Sequence, residues 1–258
     1  MQWMTLFKKE LLENIRNLKW IWVPLVMILI ATMDPVSSYY LPQIIDAVGG
    51  MPEGTEFQLP DFTPSDVVMM SLSQISSIGV LIIVLMSMGT IAGERKSGVS
   101  ELVLVKPVSY TNYITAKWAA VLLLTLTALA LGMLSSWYYV NLLFGELSFG
   151  TLLQIIFFYG LWLALVVSLS IFYNTLLKIP GLVAFLTIAT ILVMKLITTI
   201  FSHLLEWSPN NISGYINQML VSGSVPSELT GAAMVTIVMI ILLVASSIYM
   251  FKSKEMAN

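Results

Sequence analysis

The densest run of side chains able to do chemistry is Gly93-Glu94-Arg95-Lys96-Ser97-Gly98-Val99-Ser100-Glu101-Leu102. It continues through Val105-Lys106-Pro107-Val108-Ser109 to Lys117. Carboxylates alternate with guanidinium and ammonium groups, which suits ion pairing and the docking of a charged surface better than bond-making. Gly93 and Gly98 stand where a helix would break on either side of the charges. Residues 99–105 then read as a short surface helix, closed by Pro107. Such a helix projecting from a larger body fits a groove on a soluble subunit. An ordinary basic loop accounts for the same residues.

Elsewhere the chemistry is sparse. The chain has no cysteine, which removes disulfides, thiolate metal sites and thiol nucleophiles together. His203 is the one imidazole, so any Ser–His hydrolase would need it as base. It falls at the outer end of an apolar segment, whereas Gly98-Val99-Ser100 falls on the opposite side. The dipeptide Gly-Lys occurs nowhere, so the loop Gly-x-x-x-x-Gly-Lys-Ser/Thr that cradles phosphates is missing. The chain reads as a non-enzyme with no metal or cofactor of its own. Its net charge of −2 gives no reason to expect nucleic acid.

The elements that carry these residues belong in lipid. Hydrophobic residues make up 58 % and charged residues 10 %, with mean hydropathy +0.90, against about 25 % charged residues in soluble domains. A helix needs about 20 apolar residues to cross the hydrocarbon core. Six segments qualify, at about 20–40, 72–92, 118–144, 151–176, 181–201 and 231–251. The expected fold is all-α: a six-span membrane bundle in a single domain from 20 to 258, preceded by an interfacial helix at 1–19.

Charge orients the spans. Lys8, Lys9, Arg16 and Lys19 precede span one, and Arg95, Lys96, Lys106 and Lys117 lie between spans two and three. Lys178 lies between spans four and five, and Lys252 and Lys254 follow span six, so eleven of the twelve Lys and Arg share one side. The loops on the other side contain none. Both termini are therefore expected in the cytoplasm of a prokaryotic cell, with the spans in its plasma membrane. Trp and Tyr mark most span ends, as the aromatic belt predicts, while Trp162 is mid-span.

Ahead of span one, Trp3, Phe7, Leu11, Ile15, Leu18 and Trp22 recur at helical spacing, with Lys8, Lys9, Glu13, Arg16 and Asn17 on the other face. This is an interfacial amphipathic helix, either an anchor or a lever joining span one to a cytoplasmic partner. The outer loop at 41–71 is acidic and proline-rich. The stretch from His203 to Leu220 interleaves apolar residues with Pro209, Asn210, Asn211 and Gly214, a pattern for short re-entrant helices shielded by protein.

Polar residues inside spans are candidates for a translocation path: Ser73, Gln74 and Ser77 in span two, Thr187 and Thr190 in span five. Helix–helix packing explains such residues too. Two in-span charges are costly in lipid. Asp34 lies about 22 Å beyond Lys19, and Lys195 about 21 Å beyond Gly181, at the rise of an α-helix. They either pair, face a wet outer vestibule, or snorkel to the outer surface.

The string from Gly93 to Leu102, with Lys106-Pro107-Val108-Ser109 and Lys117, resembles the permeases of type-two ABC exporters. That family shows Glu-basic-x-x-Gly after its second span, then a short helix, a Pro-Val-Ser-like turn and a Gly-Lys-like pair opening its third. Here Ala116 stands where Gly often precedes the Lys. The likeness extends over the chain as architecture, from amphipathic N-terminal helix to six spans. It implies that the link is a cytoplasmic coupling helix seated in a separate ABC ATPase subunit, with Glu94, Arg95, Gly98, Glu101, Pro107 and Lys117 carrying over. It further implies ATP and Mg in that partner, a second copy or homologous permease as dimer mate, and spans two and five along the path. A non-transporting membrane immunity or scaffold protein, or an intramembrane hydrolase, are the alternatives.

Overall fold

The computed structural model describes residues 2–47, 62–98 and 108–255. In chain order these form α1 (Gln2–Arg16), α2 (Lys19–Ala47), α3 (Pro64–Gln74), a π turn (Ile75–Gly79), α4 (Val80–Ser87) and α5 (Ala92–Lys96). There follow α6 (Tyr110–Leu143), α7 (Phe149–Leu176), α8 (Pro180–Ile200), a 3-10 turn (Pro209–Asn211), α9 (Ile212–Ser222) and α10 (Ser227–Glu255). Among the described residues, six stretches are long and apolar enough to span a membrane: Lys19–Ile45, Pro64–Lys96, Tyr110–Leu143, Phe149–Leu176, Pro180–Ile200 and Ser227–Ser253.

Two spans start well before the expected positions. Span two begins at Pro64 rather than 72, because Thr63 and Asp66 form a reciprocal capping box with proline in the first turn. Thr63 Oγ1 accepts from the Asp66 amide at 3.3 Å, and Asp66 Oδ2 accepts from the Thr63 amide at 3.0 Å. Residues that resemble a loop are here a helix start. Span three begins at Tyr110 rather than 118. Lys117 therefore lies two turns inside a helix instead of at its mouth.

Gly93 does not break the helix, contrary to expectation; it is helical within α5. The break falls earlier, in the turn at 88–91 between α4 and α5. Gly98 does end the element, with φ +76°, the left-handed conformation that glycine adopts freely just beyond a helix. Leu18 takes the same region at φ 55°, where a side chain is disfavoured, and this sharp turn lets α1 fold back against α2 and α6.

The core is built around α7, whose apolar window is 72 % buried, while the windows of α8 and α10 are only 22 % and 17 % buried. Those two helices present Phe185, Leu196, Ile241 and Leu242 outward, a surface suited to lipid. At the end of the bundle away from Glu94 and Lys117, the expected short helices after His203 exist as the 3-10 turn and α9, which buries Ile212, Ile216 and Met219. Over them Trp207 packs so closely on α10 that a Cβ at Gly231 would come within 2.7 Å of its ring.

Because lipid is as apolar as the side chains, close backbone approach and shared hydroxyls hold such helices together. Gly132 of α6 sits against span one, where an added Cβ would lie 3.0 Å from the Met27 carbonyl oxygen. Ser136 donates to Ser71 at 2.8 Å, and Ser71 donates to the Ala31 carbonyl at 2.7 Å, so three spans share one hydroxyl relay. Ser87 and Ser170 meet at 2.7 Å, and Trp118 donates to Ser168 at 2.8 Å.

Gly132→Ala should destabilise the bundle by about 1–3 kcal/mol through overpacking against backbone that cannot step aside. Gly181→Ala, with nothing within 4 Å of the new methyl, should be neutral or mildly stabilising, up to about 1 kcal/mol. Thermal unfolding of the two variants in detergent checks the opposite signs.

Candidate functional site

At the basic end of the bundle, α1 brings charge to a place that apolar packing would otherwise fill. Glu10 and Asn14 lie on its buried face, three and seven residues beyond Phe7. Glu94 arrives from α5 and Lys117 from α6, and both are buried, Lys117 to 1 % exposure. Lys117 Nζ lies 2.8 Å from Glu10 Oε1 and 2.9 Å from Glu94 Oε1. Lys9 Nζ bridges the same two carboxylates at 2.9 Å and 2.6 Å, and reaches Glu13 at 3.0 Å. Tyr113 completes the shell, donating its hydroxyl to Glu94 Oε2 at 2.6 Å.

The arrangement alternates ammonium and carboxylate, so each buried charge has two opposite neighbours. That matters because an unpaired charge in such a place costs several kcal/mol. Burial alone would lower the Lys9 pKa, but the carboxylates of Glu10 and Glu94 outweigh it and raise the value well above the ordinary lysine range. A raised pKa means the stabilisation is complete below the unfolded-state value and is lost only as pH climbs through the higher folded-state value. Lys9 therefore remains charged through the neutral range. Glu10, Glu13 and Glu94 do place carboxylate oxygens within 4.8 Å of one another. The Lys9 and Lys117 ammoniums already occupy the space a cation would take.

A second junction lies beside it. The turn between α4 and α5 leaves the amides of Ile91 and Ala92 without helical partners, and Asn174 of α7 accepts both, at 3.1 and 3.0 Å. The same side chain donates to the carbonyls of Ser87 and Ser170, so all four of its hydrogen-bonding sites are used. Arg95 donates to the Thr175 carbonyl at 2.9 Å and lies 5.6 Å from the Phe251 ring centre, joining α5 to α7 and α10.

Of the six residues expected at the coupling position, Glu94 and Lys117 thus meet inside the protein, Arg95 packs beside them, and Gly98 terminates α5. Glu101 and Pro107 lie outside the described residues, as does the expected short helix at 99–105. Sequence reasoning missed Lys9, Glu10, Tyr113 and Asn174 as members. For Glu10 the signal was present: it falls on the same stripe of α1 as Phe7 and Asn14, facing inward where a lone carboxylate would need a cation.

The path candidates divide. Ser73 and Ser77 line a cavity of about 500 Å³ with Lys195, Tyr159 and Trp162, which accounts for the mid-span tryptophan. Thr187 is buried and donates to its own helix at Val183, and Thr190 pairs with Tyr173 at 2.7 Å; neither lines that cavity. Gln74 donates to Asp34 at 3.4 Å. Among the described residues, Asp34 and Lys195 form no ion pair with one another.

Lys117→Met should strand two carboxylates on Lys9 alone and destabilise the protein by about 3–5 kcal/mol, as removal of one partner from a buried network does. The unfolding midpoint checks it, with Lys178→Met, exposed in the short link between α7 and α8, as a control expected to change little.

A family model described as ABC-2 family transporter protein matches residues 4–256. The chain is also 28 % identical over 252 residues to a protein of Bacillus subtilis (strain 168) described as uncharacterized transmembrane protein YxlG, with 98 % of each chain covered. With its six apolar spans and a match running nearly end to end, this multi-pass membrane protein belongs to the ABC-2 transporter family.

Proposed function

We propose that this chain is the permease subunit of an ATP-driven exporter, moving its substrate across the plasma membrane by alternating access. ATP and Mg are handled by a separate cassette ATPase at the inner face. Two permeases, identical or homologous, enclose the path. Both termini lie in the cytoplasm.

One observation carries this reading: the ion network joins both ends of the segment at 99–107. Glu94 stands at the end of span two and Lys117 near the start of span three, and both hold Glu10 and Lys9 of α1. A push on the intervening segment is delivered to three helices together, because separating any of them would expose an unpaired buried charge. On this reading Glu94 and Lys117 are positioning residues that transmit force, and the ATPase touches the segment between them. Arg95 passes the same movement to α7 and α10.

The test begins with affinity purification in mild detergent, expected to bring down a P-loop ATPase in one-to-one ratio. A single cysteine at Ser77, in a chain that otherwise has none, then reports the outer side of the path. Trapping the ATPase with ATP and vanadate should change its labelling rate several-fold. In the Glu94→Gln/Arg95→Gln double variant, ATP hydrolysis should persist while that change disappears. Purification without any ATPase would favour a scaffold instead, and unaltered labelling behaviour in the double variant would remove the coupling role.

A further inference from the structure

Lys195 is the one Lys or Arg outside the set of eleven on the other side, and its surroundings specify a ligand. It stands fifteen residues into α8, about 22 Å from the helix start at 1.5 Å per residue. Its side chain is exposed and, among the described residues, has no acidic partner within ion-pair distance. It forms one wall of the 500 Å³ cavity between span two, α7, α8 and the 3-10 turn. Opposite it, the π turn at Ile75–Gly79 widens span two, a device often found at functional sites. Ser73 and Ser77 line the cavity on either side of that turn's start, and the buried Tyr159 hydroxyl donates to Ser76 at 2.7 Å. Among the described residues, no carboxylate lines the cavity. The rest of the wall is apolar, including Trp162, Leu81 and Leu192.

An uncompensated ammonium inside a span is expensive unless something pairs with it. Here the hydroxyls of Ser73 and Ser213 and the amide of Asn210 line the cavity with it, Ser77 could turn its hydroxyl from the Ser73 carbonyl, 3.0 Å away, to an anion, and an apolar surface continues from them. We propose that this cavity binds an amphiphile with an anionic head group, carboxylate or phosphate, its head at Lys195 and the serines and its chain along Leu81 and Leu192. This rests on the transport reading for its purpose and names the substrate class of that path. Asp34, the other in-span charge, does not neutralise Lys195, being engaged by Gln74.

Binding is measurable without any ATPase, so this inference and the transport reading fail separately. The full chain with its cavity residues unaltered is placed in nanodiscs of neutral lipid, and binding heat is measured by titration calorimetry against empty nanodiscs. Dodecanoate, dodecyl phosphate, dodecanol, dodecyltrimethylammonium and inorganic phosphate are titrated in turn. The two anionic amphiphiles should give a saturable signal with Kd at least tenfold below that of dodecanol, and dodecyltrimethylammonium should give none. Lys195→Gln should abolish the tenfold preference and Lys195→Arg should retain it, with both variants eluting as the parent does on gel filtration. Equal affinity for all four amphiphiles, or a preference that survives Lys195→Gln, overturns the proposal. So does inorganic phosphate binding as tightly as dodecyl phosphate, which would make the site one for a simple anion.

Discussion

Four charges at the basic end of the bundle, Lys9, Glu10, Glu94 and Lys117, hold each other within 2.9 Å and cannot be separated cheaply. Everything proposed about force transmission depends on that interaction. A single ammonium or carboxylate in this position would be driven to lose its charge or find water. Two of each, interleaved, satisfy one another, and Tyr113 supplies a further hydrogen bond. The network therefore acts less as a source of net stability than as a specification that α1, α5 and α6 stay together. The α1 helix gains a reason to lie where it does that its amphipathic pattern alone does not supply.

The rest of the bundle follows from having lipid as solvent. With no hydrophobic drive between helices, contact relies on small residues and on hydroxyls that would otherwise go unpaired. Gly132 against Met27 and the Ser136–Ser71–Ala31 relay do this for spans one to three. Asn174 does it where span two is interrupted, replacing lost helical hydrogen bonds with side-chain ones. That interruption lies one turn before Glu94, so the end of span two is a separately oriented piece rather than a rigid extension of the helix. At the other end of the same span the π turn opens a cavity. Span two is thus irregular at two places, one beside the ion network and one beside Lys195.

Much of this was legible from residue types. Six spans follow from hydropathy, and the sorting of Lys and Arg sets the orientation expected of them. Those signals are strong because each is repeated over about 20 residues or in several loops. Decisions that rested on one or two residues fared worse, Gly98 excepted. Pro64 and Asp66 look like loop chemistry until Thr63 is seen to cap them, since the same residues that favour turns also favour helix starts. Gly93 looked like a break because glycine permits one, but Asn174, eighty-one positions along the chain from it, had already made the break elsewhere. In the candidate site, Glu94 and Lys117 stood among the six residues that the family resemblance carried over. Their inward orientation was not legible, because it depends on a third helix folding back through Leu18. Glu10 could have been anticipated from its place on the buried stripe of α1, had the stripe been followed past its apolar members.

The central claim is that α1 moves with the start of span three as one body. With no native cysteine to remove, paired spin labels can be set at Met4→Cys and Thr111→Cys, both exposed, in the chain assembled with the ATPase proposed for it. Pulsed electron paramagnetic resonance then compares the nucleotide-free and vanadate-trapped states. The distance distribution between the two labels should stay narrow and unchanged while labels at Thr111 alone report movement between the two permeases. A shift or splitting of the Met4–Thr111 distance on trapping would mean that α1 moves independently, and the network would then be no transmission element.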